Sequence, residues 1–175
     1  MASGRPESFG GGGGAFLDGE TVAFVGYTWE LGDVNESAYG PFAKLNLIPE
    51  FRRDGAGDTV TRRLFAGNGA KFDGVSDDGR TLFLGEGKVS KKSEAAVFIA
   101  SLFAKDAQSA NYPEVDGEAN YEFFLGKRLT LARVENPDRK PETGKDGNTY
   151  AAKDLLVDAV VTPAKQNITT RRKSA

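Results

Sequence analysis

The chain contains neither histidine nor cysteine. Thiol catalysis, disulfides, Cys/His zinc centres, Ser-His-Asp triads and imidazole acid–base steps are therefore excluded. Carboxylates, lysines, tyrosines, serines and threonines remain, so a magnesium–carboxylate enzyme has to be considered. The densest acidic group is Asp73, Asp77 and Asp78, set beside Gly74 and Gly79. Asp and Gly in that arrangement are ordinary turn residues. Gly85-Glu86-Gly87-Lys88-Val89-Ser90 has the look of a phosphate loop. The true motif needs a glycine five positions before its Gly-Lys and a Ser or Thr directly after the lysine. Leu82 and Val89 occupy those positions, so no nucleotide site is read here. No catalytic set, metal site or cofactor is expected.

A second constellation is basic and aromatic. Tyr27, Trp29, Phe42, Lys44, Arg62, Arg63 and Phe65 interleave along the first half of the chain. Arg128, Arg133, Arg139 and Lys140 follow in the second half. Flat rings on which bases stack, with cations tracking phosphates, are what a single-strand binder requires. The competing reading puts Phe42 and Phe65 in the core and the arginines on a solvated face.

These residues need elements to position them. Thr21 to Trp29 is rich in β-branched and aromatic residues and predicts a first strand, with Gly26 marking a bulge or bend. Phe42 to Ile48 alternates apolar and polar residues and predicts a second strand, ended or demoted by Pro49. Thr59 to Ala66 predicts a third. A minor hairpin is expected at 70–84, turning at Asp78-Gly79. Ala95, Phe98, Ile99, Leu102 and Phe103 make one apolar stripe at helical spacing, so a helix is predicted over 91–106, capped by Ser90 or Ser93. A fourth strand is expected from Phe123 to Val134, bent at Gly126, and a fifth from Leu155 to Val161. The loop between them, Glu135 to Asn148, is polar and carries Pro and Gly, and reads as long and mobile.

Three strands, one helix and two strands is the element order of an OB-fold. The expected class is mainly β: an OB-fold-like, five-stranded Greek-key barrel with its helix between strands three and four. At 175 residues the chain makes one domain with tails. A flexible, Gly-rich arm is expected over 1–19, the barrel over 20–164, and a basic tail over 165–175. Residues 1–20 carry a net charge of −2 and residues 165–175 a net of +4, against −2 for the whole chain. No apolar run approaches the roughly 18–20 residues that span a membrane, and no secretory leader is read at the N-terminus.

Four segments carry a resemblance. They are Tyr39-Gly40-Pro41-Phe42, the helix segment from Lys92 to Leu102, Leu125-Gly126-Lys127-Arg128-Leu129-Thr130-Leu131, and the strand from Leu155 to Val161. Together they resemble a loose group of small phage- and plasmid-encoded proteins. Some of that group resemble OB-fold proteins that bind single-stranded DNA in phage replication or recombination. The resemblance implies a non-enzymatic DNA-binding accessory in the cytoplasm of a bacterial host. Better-known single-strand binders end in acidic tails, whereas this chain ends in a basic one. The alternative expectation is a virion structural or assembly protein, a homo-oligomer whose terminal arms lace subunits together.

Overall fold

The computed structural model describes residues 17–55, 57–112 and 115–161. Its elements, in chain order, begin with β1 (Thr21–Leu31), β2 (Asn35–Ser37), β3 (Gly40–Phe42) and β4 (Lys44–Arg53). Next come β5 (Thr59–Thr61), β6 (Leu64–Asn68), β7 (Gly74–Val75), β8 (Thr81–Phe83) and the helix α1 (Glu94–Lys105). The chain continues through β9 (Glu118–Asn120), β10 (Arg128–Glu135), β11 (Glu142–Thr143), β12 (Thr149–Tyr150) and β13 (Lys153–Val161). The main antiparallel sheet has the order β13-β10-β1-β4, with β5 and β6 both paired to the far side of β4.

The sheet curls around a core of Phe24, Phe51, Phe98, Leu45, Leu47, Leu129 and Leu131, all essentially inaccessible to solvent. α1 presses Ala95, Phe98 and Leu102 into it. Phe98 meets Phe24 and Phe51 edge-on, with ring centroids 6.5 and 6.1 Å apart. Ser93 is the N-cap, its hydroxyl accepting the Ala96 N–H.

The expected closed barrel is not formed. Among the described residues no strand pairing joins β6 to β13, the two ends of the sheet. α1 lies against both of them and bridges the seam. Its Glu94 carboxylate accepts the Phe65 N–H of β6 at 3.1 Å, and its Ser101 hydroxyl accepts the Val157 N–H of β13 at 2.8 Å. Edge strands present unpaired N–H groups that must find partners. Here helix side chains supply those partners.

Several boundaries differ from expectation. β4 runs through Pro49 to Arg53. The Pro49 carbonyl accepts the Arg62 N–H, so its missing N–H lies on that same side of the strand. Pairing on that side is already interrupted between β5 and β6, and the proline removes no ladder bond there. The interruption at Arg62–Arg63 also splits the expected third strand in two. The fourth strand begins at Arg128, because Glu122–Phe124 form a 3-10 turn and Gly126 takes a left-handed φ of 90°. The polar loop after β10 is not structureless: β11 and β12 pair within it. The hairpin expected at 70–84 is β7–β8, and β9 adds a third strand to it.

Leu17, Asp18 and Gly19, placed by composition in a flexible arm, are anchored. Leu17 is fully buried, Gly19 donates to the Leu131 carbonyl, and Asp18 accepts the Arg133 N–H. The rest of the arm, 1–16, and the basic tail, 165–175, lie outside the described residues.

Candidate nucleic-acid interface

The first strand decides which aromatics are available. β1 pairs with β4 as Phe24 to Phe51 and then Gly26 to Glu50, so Val25 is an extra, bulged residue. A one-residue bulge reverses the alternation beyond it. Val22 and Phe24 face the core before the bulge, and Tyr27 and Trp29 face it afterwards. Tyr27 is 1% exposed and Trp29 3%. The Tyr27 hydroxyl donates to the Arg80 carbonyl at 2.6 Å and accepts the Tyr121 N–H at 2.8 Å. Burial pushes that hydroxyl up to about 12. The Trp29 ring packs on Tyr121, 6.2 Å between centroids. Neither ring can reach a base, which corrects their assignment as stacking residues.

Phe42 and Phe65 do face outward, 36% and 37% exposed. In β4 the side chains of Leu45 and Leu47 enter the core, while Lys44 stands exposed on the opposite face. Phe65 lies opposite Asn46 in the β4–β6 pairing, on that same outward face. Asn46 donates to Glu30 Oε1 at 3.0 Å. Arg63 forks onto the same carboxylate, its Nε 3.0 Å from Oε1 and its Nη2 3.3 Å from Oε2. The hydrogen bonds from Arg63 and then Asn46 hold the Glu30 carboxyl below its ordinary value. Arg63 therefore reaches the outward face with its charge already matched.

The remaining predicted residues go elsewhere. Arg128 pairs with Asp54, and Arg139 with Asp154. Lys140 is exposed in the segment after β10. Arg62 and Arg63 are adjacent in sequence but part company. Arg62 turns to the seam and is half-buried within the electrostatic reach of Arg133, Glu94 and Glu142. One groove containing all eleven expected residues is not formed.

A cleft of about 470 Å³ lies beside the outward face, lined by Pro41, Asn68, Lys71, Glu86 and Lys88 among others. Its organiser is Asn68. The Asn68 carbonyl oxygen accepts the Ala43 and Ala70 N–H groups, and its amide donates to the Pro41 carbonyl, all at 3.0 Å. That clamps the β2–β3 hairpin to the end of β6. Lys71 and Lys88 are exposed and form no salt bridge among the described residues. Comparisons with protein families, curated proteins and solved structures find no match to this chain.

Asn68, Lys71 and Lys88 carried no signal as a set, because they meet only through the fold. Lys88 belongs to the segment that fails as a phosphate loop. Asp78, from the acidic group, accepts the Ser76 hydroxyl and the Arg80 N–H, which hold its carboxyl below its ordinary value. No group of three metal-ligating side chains forms among the described residues.

Proposed function

We propose that this chain binds single-stranded DNA along the outward face of β4 and β6, without acting on it chemically. The observation that carries this reading is the placement of Lys44 and Phe65 on the exposed face of β4 and β6, with the exposed ring of Phe42 two residues before Lys44 in the adjoining β2–β3 hairpin. The strand order supports it. Counted as five long strands, with β5 and β6 together as the third, the sheet runs fifth, fourth, first, second, third. That is the order of an OB-fold opened between its third and fifth strands, and in such folds the face of strands two and three takes oligonucleotides.

Phe42 and Phe65 would each stack one base, Lys44 would meet the intervening phosphate, and Lys71 and Lys88 would continue the phosphate track into the cleft. The net charge of −2 and the Glu30–Arg63 pair keep the electrostatic contribution small. Three lysine–phosphate contacts give a slope of log affinity against log salt of about −2 for a single strand. Such a protein suits an accessory role in phage replication or recombination inside a bacterial host.

The test is a fluorescence-anisotropy titration with a labelled oligothymidylate, since buried Trp29 is a poor reporter. Phe65→Ala should weaken binding about 5- to 150-fold, in line with about 1–3 kcal/mol per stacked base. Absence of saturable binding, or a wild-type affinity in Phe65→Ala, would sink the proposal. A second reading, subunit assembly, is favoured by the β2–β3 hairpin, where Tyr39 is 100% and Val34 57% exposed. Light scattering showing a monomer at high concentration would remove it.

A further inference from the structure

We propose that Arg63 selects guanine in a strand bound to the outward face, using the guanidinium edge that Glu30 leaves free. The inference rests on the outward-face reading above and names the base which that face prefers.

Arg63 immediately precedes β6. It and Phe65 are exposed on either side of buried Leu64, so both stand on the outward side. Phe65 lies opposite Asn46 of β4, and Asn46 lies opposite Glu30 of β1. Glu30, Asn46 and Phe65 therefore form one cross-strand row. Arg63 crosses β4 to meet Glu30 in that row. The row spans two strand spacings, about 10 Å, so a base stacked on Phe65 lies beside the guanidinium.

A guanidinium carries five N–H donors in a fixed plane. Arg63 gives its Nε to Glu30 Oε1 at 3.0 Å and its Nη2 to Oε2 at 3.3 Å. That side-on fork consumes one hydrogen on each of those nitrogens. The end-on edge, one hydrogen from each Nη, is left over. Nη1 donates to nothing among the described residues. The side chain is 58% exposed, which leaves that edge room for a ligand. The carboxylate is itself held: Asn46, only 3% exposed, donates its amide to Oε1 at 3.0 Å. Arg63 is thus oriented before any strand arrives, which lowers the entropy lost on binding.

Two groups offer paired acceptors to an end-on fork: a phosphate, and the O6/N7 edge of guanine. Charge separates them. Glu30 already matches the Arg63 charge, and a phosphate would set a second anion beside that carboxylate. The guanine edge is neutral and asks only for two donors in the right plane. Adenine puts an N6 donor where guanine has O6, and thymine offers one O4 acceptor beside a methyl group.

The test compares, by fluorescence anisotropy, a labelled oligothymidylate with the same strand carrying a few isolated guanines. Guanine should raise the affinity at least fivefold, the low end for a bidentate arginine–guanine contact. Replacing each guanine by 7-deazaguanine, which lacks the N7 acceptor, should cancel most of that gain. This arm uses the wild-type chain and depends on no variant folding. Arg63→Lys keeps the charge and loses the fork, so the guanine-to-thymine affinity ratio should fall to within twofold of one. Lys71→Gln, a phosphate contact, should weaken both strands and leave the ratio as in the wild type. A wild-type ratio near one, a ratio that survives 7-deazaguanine or Arg63→Lys, or a larger gain from cytosine than from guanine would overturn the assignment while leaving Phe65-dependent binding in place. Failure of the outward-face reading would appear differently, as no saturable binding of either strand or as binding indifferent to Phe65→Ala, and the assignment of Arg63 would fall with it.

Discussion

Tyr27→Phe separates a core tyrosine from a stacking one. The ring stays, so packing against Phe24, 6.1 Å between centroids, is retained. Only the hydroxyl is lost, and with it the bonds to the Arg80 carbonyl and the Tyr121 N–H. These bonds tie β1 to the strand following the Asp78-Gly79 turn and to the segment after β9. Each leaves a backbone group short of a partner, at about 1–2 kcal/mol apiece, so the variant should lose about 2–4 kcal/mol. For a chain of this size that corresponds to a fall in Tm of roughly 5–15 °C. Titration gives a second reading of the same group. The Tyr27 hydroxyl ionises near 12 in the folded state and near 10 when free. The folded state therefore holds a proton that the unfolded state has released between those values. Its contribution, about 2–3 kcal/mol from a shift of about two pKa units, is complete below pH 10 and is lost as pH rises through 12. Urea unfolding followed from pH 8 to 12 should show this fall in the wild type and a shallower one in Tyr27→Phe. Oligonucleotide affinity, measured by anisotropy at pH 7, should not change. Unaltered stability together with a fivefold loss of affinity would refute the inward placement of Tyr27.

Two further substitutions probe the frame. In Gly87→Ala the added Cβ would enter the Phe72 ring, and overpacking of this kind costs about 1–3 kcal/mol, read as a lower urea midpoint with the m-value preserved. Asp106, 5% exposed, accepts from the Tyr112 hydroxyl and pairs with Lys127 at 3.2 Å. Burial alone would raise its carboxyl, but the bonds from Tyr112, the Gln108 N–H and Lys127 outweigh it and hold the group below its ordinary value. The stability it contributes is present above pH 4 and is lost as pH falls through the lowered value. Asp106→Asn should therefore cost about 2–4 kcal/mol at pH 7, where it strands a partly buried lysine, and should flatten the acid limb of the pH–stability curve.

Local patterns were legible where one element decides the outcome alone. The stripe Ala95, Phe98, Leu102 reads as a buried helix face from spacing, and it is one. Asp78-Gly79 reads as a tight turn because glycine accepts the left-handed φ of 78° found there. Gly26 reads as a bulge, and the register shifts at that point. Its consequence did not follow from the residue types. Whether the extra residue falls before or after Gly26, and which alternation dominates beyond it, sets the direction of Tyr27 and Trp29. Leu17 was hidden in the same way: five glycines just before it suggest a loose arm, while its burial depends on β10 lying alongside.

By itself, then, the sequence determined the mainly antiparallel β character, the single central helix, and the absence of imidazole and thiol chemistry. These rest on composition and on periodicities of two and 3.6 residues, which are local. The tertiary structure alone decided that the sheet stays open, with Glu94 and Ser101 satisfying its edges. It also decided that Arg62 and Arg63 face different surroundings, and that Asn68 joins a hairpin to a cleft. Those outcomes depend on strand partners distant in the chain and on one-residue steps in register. A single step turns a side chain from solvent to core, and no residue type records which side it will face.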